Sequence, residues 1–532
     1  MSMNTYRPFL RGGMILAAIC ILHLTTAAQN AGDALFSGIQ IHTVHLRFSI
    51  PDWYDSLAFY YDEGDEQYIP VQLEANGTIY NNIGVRFKGN SSYSYPGTKK
   101  SLRLEFDAFG GDERWDGEKD IHLNNMWGDP TFMREKLHTD FCRSAGIHAP
   151  RANYARVYIN DEYWGFYSMV EHVDKRFTKT HYGDNNGDMF KAVDAFGGGG
   201  SSQKFSDFRW RGATESLYYD YYEMKTDGST TAWPKLVALI DVINNQSDAA
   251  SLEATMNIAS FEQAVAADIL LGNLDSYIGG GRNFYLYFNP KTSKAEWIVW
   301  DTGLSFGAYS IGTSRVETMS VTYVNFPSSR PLASRMYNGT TFHSDYLHTL
   351  CRLVNEHFIP ERMNAHIDSI AIIIRSSINE DSRKMYTMTQ FETNISTDIN
   401  AQGGGGTRKP GLKSYITQRR ASVLSQLDAL GISCVLAADP VPIAPATFTL
   451  SQNYPNPFTG QTSLSYELAT SAHVTIDLTS MVGTHVATLV DAPHAAGRYT
   501  LPVRAAALAP GTWLCTMRVG DQTATRKLIV IP

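Results

Sequence analysis

Apolar and polar residues alternate over 43–50, 84–88 and 100–106, the period of a half-buried β-strand. Two further runs, 154–159 and 165–170, flank Asn160-Asp161-Glu162 and predict a joined pair of strands. The period then lengthens. Apolar residues recur every three to four positions over 129–145, 233–244, 261–272, 346–358 and 412–430, which predicts helices. Asp129 is a candidate cap for the first of these, and Pro130 suits its first position. A β-hairpin over 283–301 falls late, among the helices. Strands lead and helices follow, so the large region reads as α+β.

The two ends depart from this pattern. Arg7 and Arg11 precede an apolar run over 14–24, and Thr26-Ala27-Ala28 supplies small residues, so 1–28 reads as a signal peptide. That run is shorter than the ~20 apolar residues a spanning helix needs. No later segment is a transmembrane candidate. Residues 29–434 form the large domain, and 435–447 is a Pro/Ala-rich linker. Over 448–532 short alternating runs separated by Gly, Pro and Asn predict a small all-β sandwich. The glycine runs at 197–200 and 403–406 lack the Lys-Ser/Thr that opens a phosphate-loop helix, and read as flexible loops.

Composition adds exclusions. The 532 residues are 43% hydrophobic and carry a net charge of −8, with no Lys/Arg run that would track phosphates, which argues against a nucleic-acid partner. After the leader four isolated cysteines remain: Cys142, Cys351, Cys434 and Cys515. Their spacing matches no metal motif. It permits pairing without forcing it, and buried free thiols are the expected state.

The candidate chemistry gathers in two places. Downstream, an apolar helix runs into Gly272-Asn273-Leu274-Asp275, then Asn283 opens the hairpin and Asp301 closes it before Thr302-Gly303. Phosphoryl transfer to a hydroxyl uses one carboxylate at the acceptor, with an Asn and a second carboxylate on the metal. Asp275, Asn283 and Asp301 suit those roles; alternatively, Asp275 caps a turn and Asp301 merely ends a strand. Upstream, such a site uses a strand cation fixed by a helical carboxylate. Lys100 and Glu135 are the candidate pair, with Arg103 the rival cation, and solvated edge charges the alternative. The run Gly279-Gly280-Gly281 predicts a pliable loop beside Asp275.

Four segments carry a family resemblance: 86–107 (RFKGNSSYSYPGTKKSLRLEFD), 133–177, 267–288 (ADILLGNLDSYIGGGRNFYLYF) and 297–307 (WIVWDTGLSFG). Their order and spacing resemble the CotH family of spore-coat-protein-H-like atypical kinases. The resemblance implies a two-lobed, protein-kinase-like fold that binds ATP with Mg²⁺ or Mn²⁺ and phosphorylates protein Ser/Thr. By this resemblance Asp275 is the catalytic Asp, and Asn283 and Asp301 are metal ligands. Lys100 is the ATP-contacting Lys, and Glu171 matches an acidic position near the hinge. Where the family commonly has a second acidic residue, this chain has Gly303. The tail opening at 451–458 (SQNYPNPF) resembles the C-terminal sorting domain of type IX secretion substrates. It implies handling by that machinery and a secreted or outer-surface location. The leading expectation is a secreted protein kinase. A non-catalytic surface or adhesion protein on a degenerate kinase-like scaffold is the alternative, and a hydrolase using Asp275 and Asp301 is a third option.

Overall fold

A computed structural model describes residues 30–64, 67–195, 204–226, 229–403, 406–434, 448–480, 485–505, 508–520 and 522–531. The expected signal peptide, the linker and the first glycine run lie outside these residues.

Seven strands close into a barrel: β1 (Ile41–Phe48), β2 (Ile69–Ala75), β3 (Thr78–Lys88), β4 (Ser101–Glu105), β5 (Asp120–Asn124), β6 (Ala152–Ile159) and β7 (Glu162–Glu171). The order around the barrel is β1-β2-β3-β4-β5-β7-β6, with β1 parallel to β6. Side chains alternate between the two faces of each strand. Val85, Phe87, Leu102, Leu104, Ile121 and Leu123 take the apolar face and join one buried cluster. The register pairs Lys88 with Ser101 and Arg86 with Arg103. These polar residues therefore share the other face with His122, Asn124 and Ser168. That face turns toward the rest of the domain.

The helix after β5 runs Arg134–Ser144, shorter than the sequence pattern predicts. Asp129 still organises its start from five residues ahead. Its Oδ2 accepts the Arg134 N–H at 2.8 Å, and its Oδ1 accepts the Thr131 N–H at 2.9 Å. The remaining helices include Ala232–Asn245, Ile258–Leu271, Thr340–Glu356 and Leu412–Ala429, close to the predicted spans. Pro360–Glu380, opened by its proline, is an additional helix. The Ile258–Leu271 helix is buried on nearly every side and is the centre of the largest core. The predicted late hairpin is present as Phe284–Asn289 and Lys294–Val299, within a four-stranded sheet. No helix among the described residues is long and apolar enough to cross a membrane.

The cysteines correct one expectation. Cys351 is bonded to Cys434, with Cα atoms 5.4 Å apart, while Cys142 and Cys515 are free and buried. The bridge ties the Thr340–Glu356 helix to the segment after Leu412–Ala429, which suits an exported chain in an oxidising compartment.

The C-terminal strands form two sheets. One holds Phe448–Leu450, Gln461–Leu468 and Gly497–Arg504; the other holds Ala472–Ser480, His485–His494, Gly511–Val519 and Gln522–Val530. Leu464 and Tyr466 from the first meet Val474, Ile476, Met517 and Leu528 from the second in a core drawn only from 448–530. This is a sandwich with its own core.

Candidate functional site

A cavity of about 350 Å³ lies where the polar face of the barrel meets the helical part. Lys88, Ser101, Asn124 and Ser168 come from the barrel, and Glu135 from the Arg134–Ser144 helix. Asp275, Arg282, Asn283 and Asp301 come from the opposite side. The volume falls within the range of small-molecule sites.

Lys88 ends β3 and precedes the Gly89-Asn90-Ser91-Ser92 turn, which also lines the cavity. Its Nζ donates to Asn124 Oδ1 at 2.7 Å. Asn124 Nδ2 in turn donates to both Glu135 oxygens, at 2.9 and 3.0 Å, and Ser168 Oγ donates to Glu135 Oε2 at 2.7 Å. Asn124 thus bridges cation and carboxylate. Burial pushes the Lys88 amine down to about 8, against the opposing pull of Asp301 and Glu135. Burial, and next the Asp301 charge, push the Glu135 carboxyl up, while the Ser168 and Asn124 hydrogen bonds act the other way.

Asp275 follows the Ile258–Leu271 helix, which Gly272 ends in the left-handed region at φ 58°. A Cβ on Gly272 would stand 2.3 Å from the Tyr415 hydroxyl, so the close packing here requires glycine. Arg282 grips Asp275 Oδ1 through Nε at 2.8 Å and Nη2 at 2.6 Å. Asn283 Nδ2 donates to the Asp275 carbonyl at 2.7 Å and to its Oδ2 at 3.1 Å. This leaves the Asn283 Oδ1 as an acceptor. The glycine run is not the pliable loop expected. Gly279 and Gly280 are buried in a short helical turn, and a Cβ on Gly279 would lie 1.9 Å from the Leu274 carbonyl oxygen. Close backbone approach explains that glycine.

Asp301 leaves the hairpin with φ 53°, and Asn283 enters it with φ 60°. Met126 and Phe132, also on the cavity wall, have φ 59° and 57°. Left-handed backbone at non-glycine residues costs about 1–3 kcal/mol each and persists only where the surrounding structure holds it. Behind Asp301, Trp300 meets His122 edge-on at 5.2 Å, and His122 Nε2 lies 2.8 Å from His172 Nδ1. Burial pushes both imidazoles well below the usual range, so both are neutral.

The structure brings Glu135, Asp275, Asn283 and Asp301 to one cavity and leaves three sequence candidates outside its lining. Lys100 Nζ donates to the Tyr93 and Tyr95 carbonyls at 2.6 and 2.5 Å. Arg103 shares the face of Lys88 but sits further along β4, where it is held by Asp120 at 2.7 Å. Glu171 accepts from Arg151 Nη2 at 2.6 Å and from the Arg151 backbone N–H at 2.9 Å. On the barrel side, the cation at the cavity is Lys88. Its signal was available: it is the last polar-face position of the alternating run 84–88, just before a Gly-Asn-Ser-Ser turn.

The donor set bears on a metal ion. Among the described residues no group of three or more His, Cys, Asp or Glu could hold one. Asp301 and the Asn283 Oδ1 provide two oxygens. Mg²⁺ commonly takes one or two protein oxygens and completes its shell with substrate phosphates and water. The residues present fit a cation that arrives with a nucleotide.

A barrel face carrying Lys88, a helix carrying Glu135 and two loops carrying Asp275 and Asp301 meet at this one cavity. The chain belongs to the CotH family: the family described as CotH kinase protein matches residues 85–423. The family described as secretion system C-terminal sorting domain matches residues 452–531. Inner spore coat protein H of Bacillus subtilis is 25% identical over 334 residues, covering 62% of this chain and 87% of that protein. Invasin CotH2 of Rhizopus delemar is 24% identical over 363 residues, covering 63% of this chain and 59% of that protein. Invasin CotH3 of the same organism is 22% identical over 327 residues, with 58% and 53% covered. The chain therefore spans between half and three fifths of these two fungal relatives. The sorting domain marks the protein as secreted, with an outer-surface location.

The Lys88 amine sets a pH expectation. For the nucleotide reading proposed below, Lys88 would attract phosphate only while protonated, and that attraction would fade as pH rises past about 8, to which burial lowers this amine. Nucleotide affinity is expected to be flat below that point and to fall up to about tenfold per pH unit above it. Lys88→Met should bind weakly throughout and lose the slope. Nucleotide titrations from about pH 6.5 to about pH 9.5 check both.

Proposed function

We propose that this protein is a secreted or cell-surface atypical protein kinase that transfers the ATP γ-phosphate to Ser/Thr hydroxyls of proteins. The barrel with its Arg134–Ser144 helix would be one lobe, and the helical part the other. The observation that carries this reading is the convergence of Lys88, Glu135, Asp275, Asn283 and Asp301, from five separate segments, on one cavity. Membership of a family described as CotH kinase protein supports it.

Lys88 would hold the nucleotide phosphates, and Glu135 would fix it through Asn124. Asp301 and the Asn283 Oδ1 would hold Mg²⁺ or Mn²⁺. When bound, that cation neutralises charge on the transferred group. Asp275 would orient the acceptor hydroxyl. The hydroxyl oxygen bonds to the γ-phosphorus, the bond to the β-phosphate oxygen breaks, ADP leaves, and the hydroxyl proton passes to the Asp275 carboxylate. Arg282 holds Oδ1, and Oδ2, which accepts from Asn283 Nδ2 at 3.1 Å, would be the oxygen that takes the proton.

One observation favours the rival, a non-catalytic surface protein. Gly303 lines the cavity, and a Cβ there would meet nothing within 4 Å, so no acidic group fills that position. Two relatives are also named invasins. The separating test incubates the full mature protein with γ-labelled ATP, Mg²⁺ or Mn²⁺, and a generic Ser/Thr protein substrate. Label on the substrate or on the protein itself is expected. Nucleotide binding with no transfer to either would assign the scaffold reading.

A further inference from the structure

Three site segments meet at one buried imidazole. His138 lies on the Arg134–Ser144 helix, one turn after Glu135, and is fully buried. Its Nδ1 is 2.7 Å from Ser305 Oγ, four residues after Asp301. Its Nε2 is 3.8 Å from Asp268 Oδ1, on the Ile258–Leu271 helix that leads to Asp275. Asp268 in turn holds the start of the Asp275 loop. Its Oδ1 accepts from Asn273 Nδ2 at 2.8 Å, and its carbonyl accepts the Asn273 N–H at 2.9 Å. Ser276 Oγ closes the loop by donating to the Asn273 carbonyl at 2.8 Å.

Hydrogen-bond directions fix the protons. Ser305 Oγ donates to the Thr302 carbonyl at 2.5 Å, so towards His138 it accepts. His138 must therefore carry its proton on Nδ1. The Nε2 lone pair then faces Asp268 and has no hydrogen-bond partner among the described residues. A lone pair opposite a buried carboxylate is repulsive, and a proton on the carboxyl removes the charge that opposes it. Burial pushes the Asp268 carboxyl up to about 7 and the His138 imidazole down to about 3, which puts that proton on Asp268. The other titratable groups near the pair are Cys142, one turn along the same helix, and Tyr337 of the Pro331–Asn338 helix. Burial keeps both neutral.

We propose that Asp268 carries a proton opposite the unpartnered His138 Nε2, and that the two act as positioning residues, joining the Glu135 helix to the Asp275 loop and to the segment after Asp301. The part played in transfer rests on the phosphoryl-transfer reading above; the proton on Asp268 does not. Asp268→Asn imitates the neutral carboxyl, since its oxygen can still accept from Asn273 and it sets no negative charge opposite Nε2. Asp268→Leu removes that acceptor.

The test compares wild type, Asp268→Asn, Asp268→Leu and His138→Leu as full mature proteins. Asp268→Asn is expected to keep phosphate transfer within about threefold of wild type, whereas Asp268→Leu and His138→Leu lose about 30-fold or more in kcat with little change in nucleotide Kd. Thermal melts provide a readout free of catalysis. The folded carboxyl has a raised pKa, so wild type loses stability as pH rises from the unfolded carboxyl range to about 7, and the Asn variant does not. The Tm of Asp268→Asn relative to wild type should therefore rise between about pH 4 and about pH 7 and level off above that. Transfer by Asp268→Asn as poor as by Asp268→Leu, or a Tm gap that stays flat with pH, would overturn the proposal. If wild type transfers no phosphate, the kinase reading fails, and the melts alone decide whether the pair holds its proton.

Discussion

Asp275→Asn is expected to lower phosphate transfer by roughly 10²–10⁴-fold and to leave nucleotide affinity nearly unchanged. The substitution keeps the shape of the side chain and removes its charge and its proton affinity. Asp275 touches Arg282 and Asn283, on the helical side of the cavity, while Lys88 and Glu135 stand on the barrel side. The amide also brings a donor into a place where Arg282 Nε, Arg282 Nη2 and Asn283 Nδ2 already donate. Parallel measurement of transfer rate and of nucleotide Kd separates the two effects. Equal transfer by Asp275→Asn and wild type would place the acceptor carboxylate elsewhere.

The largest stability effect is expected at Lys99, away from the chemistry. Its Nζ donates to Asp381 Oδ2 at 2.6 Å, and both side chains are only 1% exposed. Asp381 also accepts the Phe166 N–H at 3.0 Å and the Arg383 N–H at 2.8 Å. The pair joins the segment before β4 to the residue after the Pro360–Glu380 helix. Breaking a buried ion pair from one side leaves an uncompensated charge and costs about 3–5 kcal/mol. Lys99→Met should therefore lower Tm by roughly 5–10 °C. Adding Asp381→Asn should recover part of the loss, because the remaining group is then neutral. A Lys99→Met protein that melts with wild type would show that the backbone donors alone satisfy Asp381.

Local pattern carried much of the fold. Alternation over 84–88 and 100–106 marked two barrel strands, and the apolar run over 261–272 marked the central helix. The same regularity marked the C-terminal strands. Asp275, Asn283 and Asp301 were legible as the residues just after the central helix and at the two ends of the late hairpin, and all three line the cavity. Lys100 was a misreading of register. The strand begins at Ser101, and strand pairing alone sets Lys88 opposite it on the polar face. Glu171 stood out as acidic, but its partner Arg151 is supplied by chain pairing that sequence spacing does not display. The Cys351–Cys434 bridge and the His138–Asp268 contact were hidden for the same reason. Each joins elements far apart in sequence whose meeting depends on packing. The glycines beside Asp275 show the converse. Composition suggested a pliable loop, whereas Gly279 is fixed by its approach to the Leu274 carbonyl.

The central claim is that the cavity holds a metal-bound nucleotide through Asp301. Calorimetric titration of the full mature protein with ATP, in Mg²⁺ or Mn²⁺ and then with the metal chelated, tests it most directly, with Asp301→Asn alongside. Wild type is expected to bind only with a divalent cation. Asp301→Asn should weaken that binding at least tenfold, because a neutral amide holds a divalent cation far less well than a carboxylate. Wild type that binds no nucleotide with either metal, or Asp301→Asn that binds as tightly as wild type, would contradict the account.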